Sequence, residues 1–389
     1  MSEQTQGSCT ACGSPQPPLA WRCECGGAFD IPELAANGFT DLGKFMLEPG
    51  LQRYRRWIPV PNRLLAEVSM GEGGTPMIAA GPELPRMYLK IEFVSPTLSF
   101  KDRGAVVLIA AALERRAHRV IADSSGNAGS AIAAYASRAG IECRVFVPQG
   151  TSPGKQAQIR AFGATLEEVA GDRTATTEAA IAAVQETGAM YASHIYDPLF
   201  LQGTKTFAFE VTEQLGGAPD AVVVPVGNGT LLLGAAHGFR ELRAAGAIDR
   251  APALIGVQSE RCAPLAVAWD RGEATPATVR AEQTLAEGIA IPRPARGAQI
   301  LAAVADSGGC MVAVPERAIE PARRALARKG LLVEPTGAVT WAGALLARGD
   351  PLGDGDGPSG VGWDRARTLT AGTLVIPLCG SGVKATVQS

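Results

Sequence analysis

No block of like charge interrupts this sequence: 36 Lys and Arg and 38 Asp and Glu are spread along it and leave a formal charge of -2. Nucleic acid and anionic membrane both demand a concentrated basic footprint, so neither is expected as a partner and a small molecule is. Long apolar runs are missing as well. The longest match buried strands in length, and the first seven residues are polar, without the positive segment and apolar stretch of a secretory leader. A cytoplasmic protein is expected. Cysteine is sparse, eight residues in 389, which is too dilute for a disulfide scaffold. Lysine numbers seven, and no internal repeat is visible.

Four of the cysteines cluster near the N-terminus. Cys9 and Cys12 form a Cys-x2-Cys pair, Cys23 and Cys25 a Cys-x-Cys pair, and ten residues separate the pairs. Four thiolates at that spacing suit the knuckles of a two-hairpin ribbon around one tetrahedral zinc. The competing reading is a set of inert thiols that bind nothing. Cys143, Cys262, Cys310 and Cys379 are scattered, as reduced core or site thiols are.

From residue 87 onward, short apolar runs alternate with amphipathic stretches of helix length, the pattern of an open parallel sheet wrapped by helices. Strands are predicted at 87–93, 119–123, 143–148, 221–226, 253–258 and 373–378. Helices are predicted at 101–116, 127–139, 174–187, 204–215 and 315–329. Residues 349–366, with DPLGDGDGPSG, break every period and read as a long surface loop.

In open parallel sheets ligands bind beyond the carboxyl ends of the strands, and three turns sit where such ends are predicted. The first, SPTLSFKDRGA at 95–105, starts a helix near Lys101, with Ser99 as candidate cap and Asp102 matching the positive helix end. A lysine there opposes the helix dipole, which favours its neutral, nucleophilic amine. Taken alone, Lys101 beside Asp102 is more often a solvated surface pair. The second turn, at 123–127, runs from Asp123 through Ser124, Ser125 and Gly126 to Asn127 at a helix start. Its free backbone N–H groups suit a carboxylate, although the same residues are ordinary caps. The third, PVGNGTLLLG at 225–234, is a glycine turn into a helix whose first turn can cradle a phosphate.

Together these turns resemble one family. SFKDRG, the SGN loop, the GNGT loop, GVQSERCAPL at 256–265, TLAEGI at 284–289, VEPTGA at 333–338 and PLCGSGVK at 377–384 are similar, in order, to the landmarks of threonine synthases and their fold type II pyridoxal-phosphate relatives. The resemblance implies an α/β protein of two open parallel-sheet domains with the cofactor between them, plus the N-terminal cysteine ribbon. It divides the chain into a ribbon at 1–35, a large domain at 36–100 and 206–389, and a small, mobile domain at 101–205. A homodimer acting on an amino acid is implied.

Carried over by position, the resemblance makes Lys101 the Schiff-base lysine and proton carrier, with Phe100 packed near the cofactor ring. Asn127 matches the asparagine at the ring hydroxyl, and Gly227, Asn228, Gly229 and Thr230 match the phosphate loop. Cys379 matches a neutral partner of the ring nitrogen, which directs the cofactor toward elimination and replacement rather than transamination. Ser124, Ser125, Gly126 and Asn127 match the loop that receives the substrate carboxylate.

Two departures stand out. Ala128 lacks a hydroxyl that such loops often carry, and Phe200 stands where phosphate-cleaving relatives commonly place an arginine. Losing that guanidinium removes a contact worth about 1.5–3 kcal/mol; Lys155, Arg160 and Lys205 are the other cations that can serve, although each is more often a solvated surface residue. The expected activity is a lyase, threonine synthase-like or threonine/serine dehydratase-like. The alternatives are a β-replacement synthase and a non-catalytic binder of amino acid or cofactor.

Overall fold

The apolar runs become buried strands because each is rich in β-branched residues and too short for a helix. All six expected strands and all five expected helices are found at or near their predicted bounds in the computed structural model. It describes residues 7–17, 20–34, 36–39, 48–151, 153–350, 352 and 358–384, which divide into two compact units.

The first unit comprises Met1–Leu34, Asp41–Gly74 and Ser95–Thr206. Its four parallel strands lie in the order Thr165–Val169, Glu142–Pro148, Arg119–Ala122, Met190–Tyr191. The helix Lys101–Glu114 is buried at every position from Asp102 to Ala112, as a run such as AVVLIAAA, with no polar stripe to give to water, requires. It shares a core with Val120, Ile132, Tyr135 and Val145. Residues 48–74 and 95–100, expected with the C-terminal half, belong to this unit instead. Leu51, Ile58, Leu64, Leu65 and Val68 join the core of the Lys101 helix, which is the physical reason. Near the N-terminus Ser8–Cys9 pairs antiparallel with Phe29–Asp30. Trp21 sits edge-on to Tyr191 and Tyr196, with centroids 5.1 and 5.0 Å apart.

The second unit comprises Ala35–Thr40, Thr75–Val94 and Phe207–Ser389. Its six strands run Cys310–Val314, Ala253–Ser259, Ala221–Pro225, Leu374–Pro377, Met87–Lys90, Met77–Ala79, all parallel except the last, an antiparallel edge. Ala221–Pro225 and Ala253–Ser259 are buried at every residue. In the same unit Lys90 and Glu210 form a buried ion pair at 2.8 Å, and the Thr75 N–H donates to the same carboxylate at 3.2 Å. Such a pair persists only because each charge has partners. The expected loop at 349–366 is interrupted: Val361–Leu369 is a helix that buries Gly362, Trp363 and Ala366, and 351 and 353–357 lie outside the described residues. No helix among the described residues is long and apolar enough to cross a membrane.

Candidate active site

Lys101 is the first residue of its helix. The turn that delivers it is locked by its own side chains. Thr97 donates its N–H to Asp102 Oδ2 at 2.6 Å and its hydroxyl to Asp102 Oδ1. Between them Leu98 adopts a φ of 63°, a left-handed conformation that costs a side-chain-bearing residue about 1–2 kcal/mol. Asp102 is therefore committed to shaping the turn. The expected Ser99 cap does not form: Phe100 stands at the N-cap position without a side-chain cap, and the Ser99 hydroxyl is buried with no hydrogen-bond partner. Lys101 Nζ lies 4.5 Å from the Phe100 ring centroid and 5.7 Å from that of Phe200, within reach of a cation–π attraction.

Phe200 comes from the helix Pro198–Thr204 and is completely buried. Two glycines let this helix approach the Lys101 helix. A Cβ on Gly104 would lie 2.4 Å from the Phe200 ring, and one on Gly203 would lie 1.9 Å from the Arg103 carbonyl oxygen. His194, in the preceding turn, is 6% exposed and meets Phe200 edge-on with centroids 5.9 Å apart. Burial, and then the positive charges of Lys101 and Arg173, hold its imidazole well below its ordinary pKa, so it is neutral. His194 is not among the residues that the sequence singles out. Its rarity is the available signal, since the chain holds three histidines.

Ser124, Ser125 and Gly126 link the strand Arg119–Ala122 to the helix Asn127–Arg138, so Asn127 opens that helix as expected. The Gly126 N–H donates to the Ser124 hydroxyl at 3.4 Å, and no side chain caps the helix. Gly129 is required here, because a Cβ on it would fall 1.9 Å from the Ser124 carbonyl oxygen. Asp123 is occupied, accepting from the Thr177 hydroxyl at 2.6 Å.

In the second unit, Gly227, Asn228 and Gly229 connect the strand Ala221–Pro225 to the helix Thr230–Ala244. Gly229 has a φ of 74°, and a Cβ on it would lie 2.4 Å from Ile300. Gly227 abuts Gly288 and Ile289, with 3.0 Å from its Cβ position to the Ile289 Cα. No side chain caps the helix, and the positive end of a helix supplies the backbone donors that a phosphate needs. Cys379 follows the strand Leu374–Pro377, is 1% exposed, and its Sγ lies 3.6 Å from the Pro377 carbonyl oxygen. The glycine cradle and the uncapped helix of this unit suit the phosphate of pyridoxal phosphate.

Residues 68–356 match the family described as pyridoxal-phosphate dependent enzyme. The chain belongs to this family. Threonine synthase of Methanocaldococcus jannaschii is 33% identical over 336 residues, 84% of this chain and 82% of that protein. Threonine synthase of Mycobacterium leprae is 35% identical over 344 residues, 86% and 89% of the two chains. Among solved structures, a T.th. threonine deaminase shares 30% identity with a TM-score of 0.61, over 76% of this chain and 87% of its own. The threonine synthase-like, fold type II expectation is borne out, and the protein is a pyridoxal-phosphate-dependent lyase.

Two of the three cations that the sequence offers in place of the arginine are engaged elsewhere. Lys205 is fully buried and donates to Gln202 Oε1 at 2.6 Å. Arg160 is engaged by Gln156 at 2.8 Å and Glu168 at 3.4 Å, and the side chain of Lys155 lies outside the described ones.

The ribbon cysteines converge. The four Sγ atoms of Cys9, Cys12, Cys23 and Cys25 lie within 4.8 Å of one another, with Cys9 to Cys25 at 3.5 Å and Cys12 to Cys23 at 3.6 Å. A tetrahedron with zinc–sulfur arms of about 2.3 Å has edges of about 3.8 Å, so the donor set fits zinc. Ala11 and Gly27 each point a backbone N–H at a cysteine sulfur, both at 3.4 Å.

Proposed function

We propose that this lyase acts by elimination on an amino acid of the threonine or serine kind, and that O-phosphohomoserine is a poor substrate for it. The observation that carries this reading is Phe200, completely buried 5.7 Å from Lys101 Nζ. A phosphate brought beside that ring without matching donors incurs a desolvation cost of several kcal/mol.

Pyridoxal phosphate, when bound, supplies an electron sink for the bond broken at the substrate Cα. The residues divide the remaining work. Lys101 would attach the cofactor and take the Cα proton, and the β-hydroxyl would leave with a proton as water. The N–H groups at the Gly227, Asn228 and Gly229 turn, with the Thr230 hydroxyl, hold the cofactor phosphate. Asn127 would hold the ring hydroxyl, Cys379 would serve as the neutral partner of the ring nitrogen, and Phe100 would pack near the ring. Ser124, Ser125 and Gly126, together with the Asn127 N–H, orient the substrate carboxylate. Cys9, Cys12, Cys23 and Cys25 hold one structural zinc with no position left for water. The working enzyme is a cytoplasmic homodimer in this reading.

The test is a product screen on purified holoenzyme with L-threonine, L-serine, O-acetylserine and O-phosphohomoserine, reading keto acid, free phosphate and the cofactor's visible band. Keto acid from the hydroxyamino acids, with Lys101→Ala losing both the band and turnover, is the expected result. A Lys101→Ala protein with full activity, or efficient threonine formation from O-phosphohomoserine, overturns it. Incorporation of an added nucleophile in place of keto acid release points to β-replacement.

A further inference from the structure

The turn after the strand Met190–Tyr191 is built to hold one side chain still. The Ser193 hydroxyl accepts from the N–H groups of Ile195 and Tyr196, both at 3.3 Å, and the Ser193 carbonyl accepts from the Asp197 N–H at 3.0 Å. Asp197 in turn caps the next helix through the Leu199 N–H at 2.9 Å and pairs with Arg115 at 3.1 Å. Between these anchors sits His194, only 6% exposed to water. Its ring meets Phe200 at 5.9 Å, on the same phenyl group that lies 5.7 Å from Lys101 Nζ.

No hydrogen bond to the His194 imidazole is found among the described residues. The ring nitrogens are not among the fully enclosed unpartnered atoms of the described residues, so they open toward solvent-accessible space, and a neutral imidazole offers one donor and one acceptor there. The apolar Phe200 ring gives an anion no partner, and a neutral imidazole offers a phosphate a single donor against several charged oxygens; the positive charge that reaches the ring comes from Lys101, which the cofactor engages in this reading, and from Arg173. A hydroxyl, which both donates and accepts, matches the imidazole group for group.

We propose that His194 is a substrate-binding residue that hydrogen-bonds the β-hydroxyl of the amino acid, and so selects hydroxyamino acids over phosphorylated ones. This rests on Lys101 being the cofactor lysine, since that is what puts the substrate beside Phe200. A residue holding the hydroxyl acts on substrates that carry one and leaves untouched those that lack it.

The experiment compares kcat/KM of holoenzyme on L-serine, O-phospho-L-serine and β-chloro-L-alanine, the last undergoing the same elimination with no hydroxyl. The unmodified enzyme is expected to prefer L-serine to O-phosphoserine. His194→Ala should lower kcat/KM on L-serine about tenfold to a hundredfold, the loss expected for an unpaired buried partner. It should leave β-chloroalanine within about threefold and the cofactor band intact, the level at which no hydrogen bond has been lost. If the alanine variant fails to fold, His194→Phe keeps the ring contact with Phe200 and must show the same selective loss. Equal losses on L-serine and β-chloroalanine, or a preference for O-phosphoserine, overturn the role of His194 while the lyase reading stands. Failure of all three substrates overturns both.

Discussion

Phe200 occupies its place because Gly104 has no side chain: a Cβ there would lie 2.4 Å from the phenyl ring. The contact joins the helix that starts at Lys101 to the helix that carries Phe200, and both residues are buried. Gly104→Ala should therefore lower stability by about 1–3 kcal/mol, the usual cost of overpacking a filled core. Because the same ring lies 5.7 Å from Lys101 Nζ, turnover should fall as well. Thermal unfolding together with kcat/KM checks this; a variant with unchanged melting temperature and activity shows that the interface yields freely.

A related constraint operates at the phosphate turn. Gly229 combines a φ of 74° with a Cβ position 2.4 Å from Ile300 Cδ1, so Gly229→Ala meets both backbone strain and a clash. Strain alone contributes about 1–2 kcal/mol. Cofactor affinity should weaken about tenfold or more, as strain of that size in the turn implies, read by titrating apoenzyme with pyridoxal phosphate. Adding Ile300→Ala removes the clash and leaves the strain, so the double variant should recover part of the loss. No recovery would assign the whole effect to the backbone.

Most of this framework is legible in the sequence where burial is one-sided in its demands. AVVVP at 221–225 is buried at every residue, and a run that must be apolar on both faces announces itself. The strand Thr165–Val169 has no fully buried residue, and its polar TLEEV carries no such pattern. The helix Pro335–Ala347 escapes for the opposite reason: it is apolar nearly all round and buries Trp341, leaving no amphipathic period to detect. Lys101, Asn127 and the Gly227 to Thr230 turn are local motifs and can be read from their neighbours in the chain. Gly104 and His194 acquire meaning only through Phe200, which lies 96 residues from the first, and spacing along the chain does not encode that contact.

The ribbon should carry one zinc per chain. Zinc held by four thiolates contributes about 10–16 kcal/mol of binding free energy, far more than a two-strand pairing supplies. Cys12→Ser, in the more exposed of the two close pairs, should bring metal content well below one per chain and lower the melting temperature by several degrees. The kcat should change less than about twofold, because a closed tetrahedral site offers no position for substrate. Metal analysis of freshly reduced protein checks the first point, and steady-state kinetics on the same preparation the second. Full activity loss with the fold and cofactor band intact would move the ribbon into the chemistry.

Phe200→Arg tests the substrate assignment from the other side. The ring is completely buried and lies 5.7 Å from Lys101 Nζ, so a guanidinium at this position sits in a desolvated site next to another cation. Without a ligand that is unfavourable, and the substituted holoenzyme should melt at a lower temperature. A phosphate reverses the balance by pairing with the new donors, and a charge-assisted bidentate contact contributes about 1.5–3 kcal/mol. Inorganic phosphate should therefore raise the melting temperature of the variant more than that of the unmodified enzyme. The ratio of kcat/KM for O-phosphohomoserine to that for L-threonine should rise about tenfold or more, as that energy implies. Lys205, already donating to Gln202 at 2.6 Å, would have to leave its partner to serve in place of the arginine. Should the unmodified enzyme release phosphate efficiently, and should Phe200→Arg leave that rate unchanged or lower it, the phosphate is held by other groups and the enzyme works as an ordinary threonine synthase.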